Sequence, residues 1–226
     1  MLKTKVNIPG MDNFFTQEAY KVLRTNLQFC GQDVKVIAVT SCLENEGKST
    51  ITLSLGQCFA ELKKKVLIID ADMRKSVMAA RHTTAHDVKG LSEVLTGMVS
   101  VNDAIYSTQV PQLHLLMAGK YPPNPTELLA GKYFEKLIKE ARDIYDYVLV
   151  DTPPLGEVID SAVVANKCDG TVIVCSNKAR ASRVGAVIDQ LQKGNCNILG
   201  IVMNNVKRNG SGYYGKKYKY YRGYGE

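Results

Sequence analysis

A glycine, a lysine and two hydroxyl residues follow one another where an apolar segment of the chain gives way to a helical one. The apolar, β-branched run at Val34–Thr40 predicts a buried strand, and a polar turn separates it from Gly47, Lys48, Ser49 and Thr50 at the start of a helix. Backbone N–H groups at such a helix N-terminus can surround a polyphosphate, and the helix dipole favours its negative charge. In this arrangement the amine of Lys48 reaches the β- and γ-phosphates and the hydroxyl of Ser49 binds Mg²⁺. The segment therefore predicts a binding site for a nucleoside triphosphate.

The turn of this phosphate loop departs from the usual sequence pattern. Cys42 stands six positions before the lysine, where glycine is usual, and Glu44 and Asn45 occupy places where small residues are common. The alternative interpretation is a strand, a turn and a helix in which Gly-Lys-Ser arose by chance. Asn45 tolerates the left-handed backbone conformation that such a turn can require, so we expect ATP binding to survive. The residues predicted to contact the nucleotide in this loop are Glu44, Asn45, Glu46, Gly47, Lys48, Ser49 and Thr50.

Two other apolar strands end in carboxylates. Asp70 and Asp72 follow the run Val66–Ile69 at alternate positions, and Asp151 ends the run that starts at Tyr147. Alternate residues of a strand lie on one side of it, and the carboxyl end of an open parallel sheet is where ligands bind. Each motif alone could be an acidic cap at the end of a strand. Three strands that bring a lysine, a serine and three aspartates to one edge predict a Mg²⁺–ATP site, with Asp151 on the metal directly or through water.

Strands and helices alternate along the chain that must position these residues. The predicted strands are Val34–Thr40, Lys65–Asp70, Leu113–Met117, Tyr147–Asp151, Thr171–Cys175 and Ile198–Asn204. The predicted helices are an N-terminal helix at Thr16–Phe29 and then Ser49–Leu62, Thr126–Ile144, Asp160–Asn166 and Ala181–Lys193. Thr16 is the predicted N-cap of the first helix, and residues 73–107 are expected to carry short helices beside the site. This order predicts an α/β fold of the kind found in phosphate-loop NTPases, a three-layer sandwich with a mostly parallel central sheet.

Composition and charge limit the remaining possibilities. The 226 residues suit one domain with a sizeable core. No apolar run approaches the roughly 20 residues that span a bilayer, and the N-terminus lacks an apolar signal core, so we expect a cytoplasmic chain without a transmembrane segment. Six cysteines without C-x-x-C spacing predict reduced thiols and no zinc site. The net charge of +7 is concentrated near the C-terminus, which weakens the case for a general nucleic-acid surface.

Residues 207–226 differ in character from the rest of the chain. They lack aliphatic residues and are rich in glycine, lysine and tyrosine, so they cannot bury enough apolar surface to offset their chain entropy. We predict a disordered tail here, after a domain at 1–206. Half of the twelve tyrosines lie in it, at Tyr213, Tyr214, Tyr218, Tyr220, Tyr221 and Tyr224. Composition leaves four interpretations open: binding of single-stranded nucleic acid, adhesion to an anionic membrane, phosphorylation of the tyrosines, and a merely solubilising tail.

These motifs in this order resemble those of the bacterial protein-tyrosine kinases (BY-kinases) of capsule and exopolysaccharide systems, of the separate cytoplasmic type. The resemblance covers nearly the whole chain. It rests on a Walker A loop at Ser41–Thr50, a Walker A′ motif at Asp70–Arg74, a Walker B strand at Leu149–Asp151 and the tyrosine-rich tail. The stretch PPNPTELL at Pro122–Leu129 is a specific mark of the family. The resemblance implies a kinase domain at 1–206 that uses ATP and Mg²⁺, phosphorylates the tail tyrosines in trans and regulates polysaccharide synthesis and export.

The resemblance also implies roles for individual residues. The catalytic residues are expected to be Lys48, Asp70, Asp72 and Arg74, and the metal ligands Ser49, Asp70 and Asp151. Asp72 is expected to orient or deprotonate the incoming tyrosine, and Arg74 to pair with a phosphate or with a nearby carboxylate. Asn204 and Asn205, at the end of the last predicted strand, are candidates for contact with adenine.

The resemblance extends to partners. The family carries an E-x-x-R-x-x-R motif on its first helix, implicated in self-association into rings, and this chain has Glu18, Lys21 and Arg24 at those places. Lysine in the middle place keeps the charge but loses bidentate geometry, and spacings of three also suit an ordinary ion pair within the helix. Further implied partners are a tyrosine phosphatase and a membrane-spanning activator that recruits the chain to the inner face of the cell membrane. No nucleic-acid partner is expected.

Two other classes of protein fit part of the sequence. A ParA- or MinD-like ATPase would use ATP to assemble on DNA or a membrane, and a non-catalytic scaffold would bind ATP without turnover. Leu43 occupies the place of the signature lysine of MinD-like ATPases. Together with the PPNP-x-ELL segment and the tail tyrosines, this favours the kinase.

Overall fold

The structure is a computed structural model, and it describes residues 2–9, 13–83 and 88–206. The predicted tail at 207–226, with its six tyrosines, lies outside the described residues. The described strands are β1 (Leu2–Lys3), β2 (Val36–Ser41), β3 (Val66–Asp70), β4 (Ile105–Ser107), β5 (Leu113–Leu116), β6 (Tyr147–Asp151), β7 (Gly170–Ser176) and β8 (Ile198–Asn204). The described helices are α1 (Phe14–Phe29), α2 (Lys48–Ala60), α3 (Met78–His82), α4 (Leu91–Leu95), α5 (Val101–Ala104), α6 (Pro125–Ala130), α7 (Lys132–Ile144), α8 (Asp160–Ala165) and α9 (Ala181–Lys193).

The eight strands form one sheet in the order β1-β4-β5-β3-β6-β2-β7-β8. All neighbouring pairs are parallel except β4 with β5. Helices cover both faces of the sheet, so alternate residues of one strand enter different cores: Val36 joins the cluster that contains Phe134 of α7, whereas Ile37 joins the one that contains Phe59 of α2. The prediction of an α/β sandwich with a mostly parallel central sheet is confirmed.

The carboxyl ends of three adjacent strands lie together at one edge of the sheet. In the register of β3 with β6, Asp70 is the partner of Asp151. Asp151 is also paired with Val39 of β2, and β2 continues directly into the phosphate loop. The strand order therefore brings the loop and the acidic strand ends into contact, as expected for a ligand site at the carboxyl edge of a parallel sheet.

Several element boundaries differ from those predicted. The two shortest strands, β1 and β4, were not predicted, because two or three residues carry too little periodicity to be recognised. The predicted helix Thr126–Ile144 is two helices, α6 and α7, because Gly131 between them is extended, with φ −70° and ψ 163°. The prediction of Thr16 as an N-cap is wrong. Helix α1 starts two residues earlier, and the Asn13 side chain caps it by accepting from the N–H groups of Phe15 and Thr16 at 2.9 and 3.4 Å.

Helix α1 packs against α2, the helix that starts at the phosphate loop. Arg24 of α1 donates from Nη1 to the carbonyl oxygen of Cys58 in α2 at 3.0 Å.

Among the described residues, no helix combines the length and apolar character that crossing a membrane requires.

Candidate active site

The phosphate loop turns between β2 and α2 with two residues in the left-handed region. Asn45 has φ 59° and Gly47 has φ 90°, which confirms that Asn45 accepts the conformation foreseen for it. The loop forms one wall of a cleft of about 480 Å³. Residues that follow β3 and β6, among them Asp72 and Pro153, line the other walls. A cleft of this size at this edge can hold a nucleotide.

Glu46, predicted to contact the nucleotide, directs its side chain into the protein. One carboxylate oxygen accepts from the backbone N–H groups of Cys42 and Leu43, both at 2.9 Å. The other accepts from the N–H and the hydroxyl of Ser176 at 2.9 and 3.1 Å. The buried carboxylate thus links the phosphate loop to the end of β7 and fixes the loop's shape. Only the backbone of Glu46 is left to contact a phosphate.

The two asparagines predicted for adenine lie at the end of β8, where Asn204 is the last residue of the strand and Asn205 follows it. Asn204 donates from Nδ2 to the carbonyl oxygen of Glu46 at 2.8 Å, so its amide supports the loop. Asn205 adopts φ 55° just beyond the strand. Contact of either residue with adenine stays a prediction.

Lys48 and Asp72 meet inside the cleft. The Nζ atom of Lys48 lies 3.6 Å from Oδ2 of Asp72, and both side chains are about nine-tenths buried. The other oxygen of Asp72 accepts from the N–H of Lys75 at 3.0 Å. The structure therefore brings the predicted phosphate-binding amine and the predicted base side by side and orients the carboxylate.

Asp70 and Asp151 lie buried behind this pair. Burial raises the pKa of Asp70 well above its usual range, and the neighbouring Asp151 charge adds to this, although the Ser76 hydroxyl donates to Asp70. Burial also raises the pKa of Asp151, to about 6, against the lowering effects of Lys48 and Ser49. A cation beside these two carboxylates would be stabilised, because its positive charge would offset the cost of ionising both of them in a buried site.

The donor set fits Mg²⁺. Asp151 keeps a buried oxygen, Oδ1, without a hydrogen-bond partner among the described residues. Within 2–9, 13–83 and 88–206, no group of three or more His, Cys, Asp and Glu residues is arranged to hold a metal by itself. Mg²⁺ needs no such cage, because it binds through one or two carboxylates and keeps the rest of its shell for water and phosphate. Ser49, Asp70 and Asp151 remain the predicted ligands.

Arg74, predicted to meet a phosphate or a carboxylate, pairs with Asp160. Its Nε donates to Asp160 Oδ2 at 2.6 Å. Its Nη2 donates to Oδ1 of the same carboxylate at 3.2 Å and to Thr126 Oγ1 at 2.9 Å. Sequence reasoning missed Asp160 and Thr126 as site residues, although Asp160 opens a predicted helix and Thr126 is the variable residue of the PPNP-x-ELL segment.

Charged side chains connect the walls at the rim of the cleft. Lys75 donates from Nζ to both carboxylate oxygens of Glu44 at 2.8 Å. The N–H of Glu44 donates to Glu157, which follows β6, at 3.2 Å. These contacts are exposed and contribute little to stability, but they show that the rim carries both signs of charge beside the loop.

The three residues predicted for self-association differ in their surroundings. Lys21 and Glu18 form a partly exposed ion pair within α1 at 2.7 Å. Arg24 is engaged with α2, and its Nε is buried without a hydrogen-bond partner in the described part of the chain. Glu18 and Lys21 are therefore accessible to another chain, whereas Arg24 holds α1 in place.

Comparison with known proteins agrees with this geometry. A family model described as an AAA domain matches residues 34–199. The chain is 41% identical over 192 residues to the tyrosine-protein kinase CpsD of Streptococcus agalactiae serotype III (strain NEM316), covering 84% of this chain and 83% of that protein. It is 37% identical over 206 residues to the tyrosine-protein kinase YwqD of Bacillus subtilis (strain 168), covering 88% and 86%. The kinase domain of Escherichia coli tyrosine kinase ETK has a TM-score of 0.81 and 32% identity, over 88% of this chain and 79% of that one.

Proposed function

The chain belongs to the bacterial protein-tyrosine kinases, and we propose that it transfers the γ-phosphoryl group of ATP to tyrosines in the tail of a neighbouring copy. The acceptors in this proposal are Tyr213, Tyr214, Tyr218, Tyr220, Tyr221 and Tyr224. One observation supports it above all: Lys48 lies 3.6 Å from Asp72 in a cleft formed by the phosphate loop and the acidic strand ends.

Transfer depends on positioning and on stabilising charge. The phenolic oxygen of tyrosine bonds to the γ-phosphorus, the bond from that phosphorus to the β,γ-bridging oxygen breaks, and ADP leaves. Lys48 and the loop N–H groups stabilise negative charge on the phosphates. When bound by Ser49, Asp70 and Asp151, Mg²⁺ supplies further neutralisation of phosphate charge.

Asp72 takes the phenolic proton in this proposal. Its Oδ1 is engaged by the Lys75 N–H, so Oδ2 is the oxygen that remains for the substrate, on the side of Lys48. A phenol of pKa about 10 needs only modest help from a base when it attacks a loose transition state. The proton therefore passes from the phenol to the carboxylate and then to water.

Phosphorylation would change the charge of the tail. Each phosphotyrosine adds about −1.5 to −2 charges to a basic segment. Several such events would invert its sign and release the tail from the neighbouring copy. If copies associate through the partly exposed Glu18 and Lys21, this release would dissolve a ring.

The cellular role follows from the family resemblance. We propose that the kinase acts in the cytoplasm at the inner face of the membrane, recruited by a membrane-spanning activator and reversed by a tyrosine phosphatase. Through this cycle it would regulate the synthesis and export of a capsular polysaccharide or exopolysaccharide.

The test mixes two full-length variants with labelled ATP and Mg²⁺. Lys48→Met supplies intact tyrosines without activity, and the chain with all six tail tyrosines changed to Phe supplies activity without acceptors. We expect no phosphotyrosine in either variant alone and phosphorylated Lys48→Met in the mixture. Phosphotyrosine on the six-Phe variant alone would place the acceptors elsewhere, and none in the mixture would contradict transfer between copies.

A further inference from the structure

Two side chains from separate segments close around the guanidinium of Arg74. Arg74 follows β3, Thr126 lies in α6 and Asp160 starts α8. Besides the three bonds from Arg74, Thr126 donates from Oγ1 to Asp160 Oδ1 at 2.7 Å. The Asp160 side chain is 1% exposed, so its carboxylate is buried against these partners. A bidentate pair between an arginine and a buried carboxylate has a fixed geometry.

Asp160 and Thr126 bind one edge of the Arg74 guanidinium and leave the other edge without a partner among the described residues. Arginine has five N–H donors, and the Nε hydrogen and both Nη2 hydrogens are engaged by Asp160 and Thr126. Nη1 has no hydrogen-bond partner among the described residues. The Arg74 side chain is 34% exposed and lines the cleft beside Lys48 and Asp72. The end of Arg74 that the cleft can use is therefore Nη1.

We propose that Asp160 and Thr126 are positioning residues for the kinase reaction: they hold Arg74 so that its Nη1 donates to an oxygen of the phosphoryl group in transfer. The inference rests on the proposed function, since it assigns Arg74 to the transfer step. An arginine already held in place loses little side-chain entropy when it binds the transition state, and its planar donors match phosphate oxygens.

A purely structural ion pair would behave differently, and the chain offers one for comparison. Arg142 of α7 donates to Asp169, which also accepts from the N–H groups of Lys35 and Val36 at 2.9 and 2.8 Å. These contacts lie at the amino-terminal ends of β2 and β7, at the edge of the sheet away from the cleft. Asp169→Asn therefore removes a comparable carboxylate while leaving the kinase machinery untouched.

The experiment measures three quantities on full-length variants: the kcat for phosphorylation of a synthetic glutamate–tyrosine copolymer, the Kd for ATP and the Tm. The variants are Asp160→Asn, Thr126→Val, Thr126→Ser, Arg74→Gln, Asp169→Asn and the double variant Arg74→Gln with Asp160→Asn. The copolymer separates this inference from the tail proposal, because a protein that does not phosphorylate tail tyrosines would still show its transfer rate on the copolymer.

We expect Asp160→Asn to lower kcat at least tenfold and Thr126→Val severalfold, with less than twofold change in the Kd for ATP. Thr126→Ser should restore the rate, and Asp169→Asn should leave kcat unchanged. Because Asp160 acts through Arg74, the double variant should be no slower than Arg74→Gln. The proposal would be overturned if the kcat of the double variant fell by the product of the two single-variant losses. It would also be overturned if Asp160→Asn and Thr126→Val both kept the wild-type kcat. If Asp160→Asn fails to fold, the comparison of Thr126→Val with Thr126→Ser decides alone.

Discussion

The side-chain amide of Asn204 occupies the place where a β-carbon on Gly47 would be. An added Cβ would come within less than 3.0 Å of Asn204 Nδ2, closer than real Cβ contacts come, and that nitrogen is already bonded to the Glu46 carbonyl. The last strand of the sheet therefore supports the phosphate loop from behind. The φ of 90° favours glycine at this place, and a Cβ here would also displace the Asn204 amide from its hydrogen bond with Glu46.

Gly47→Ala should weaken ATP binding at least tenfold, because an L side chain is strained at φ 90° and either the loop shifts its N–H groups or the Asn204 amide gives up its hydrogen bond to the Glu46 carbonyl. Titration with a fluorescent ATP analogue measures this. Gly97→Ala is the matched control, since Gly97 has φ 75° but open space at its Cβ position. It should cost about 1 kcal/mol of stability and leave ATP affinity unchanged. Unaltered ATP affinity in Gly47→Ala would show that the loop adapts freely.

Glu46→Gln should lower the free energy of unfolding by about 1–3 kcal/mol, because an amide cannot accept on both sides and leaves a buried N–H unsatisfied. The affected donors are the N–H groups of Cys42 and Leu43 or that of Ser176. Urea unfolding of the nucleotide-free protein measures the loss. Glu135→Gln breaks an exposed pair on α7 and should show no measurable change. Equal stability of the two variants would contradict the role given to Glu46.

Arg24→Ala should lower the free energy of unfolding by about 1–2 kcal/mol, because it removes the hydrogen bond to Cys58 and the contact of the Arg24 side chain with α2. Lys21→Glu replaces a partly exposed ion pair with a like-charge pair, so it should lower the free energy of unfolding by at most about 0.5 kcal/mol and weaken self-association in sedimentation experiments. Unfolding measurements on both variants separate the two roles. A loss well above about 0.5 kcal/mol in Lys21→Glu would mean that the Glu18–Lys21 pair supports the fold.

Asp169 gives a prediction about pH. Burial alone would raise the pKa of Asp169, but Arg142 and the N–H groups of Val36 and Lys35 outweigh it and hold the pKa below its usual value. The native state then binds fewer protons than the unfolded state near the carboxylate pKa, so this stabilisation is present above about pH 4 and is lost as the pH falls through the lowered pKa.

Asp169→Asn should accordingly be less stable than the unmodified protein by about 1–3 kcal/mol near neutral pH, and the difference should shrink below about pH 4. Urea unfolding across this range measures it. A difference that is constant with pH would mean that the charge of Asp169 does not contribute.

Sequence patterns were sufficient for the main strands because long β-branched runs between polar turns have few other ways to be buried. They were also sufficient to place Lys48, Asp72 and Asp151 at one edge, because parallel strands end on the same side of a sheet. The patterns failed at Gly131, where an extended backbone conformation divides the predicted helix in two. They also failed at β1 and β4, which are too short to show a pattern and are strands only because they pair with neighbouring strands.

The amino-acid sequence by itself determined the kind of fold and the chemistry at its carboxyl edge, since both follow from residue types and from spacings within single segments. Only the tertiary structure decided which side chains face the ligand and which support the loop. Glu46 meets Ser176 across 130 positions of the chain, and Arg74 meets Asp160 across 86. Such pairings depend on how strands are ordered in the sheet, which no local pattern specifies.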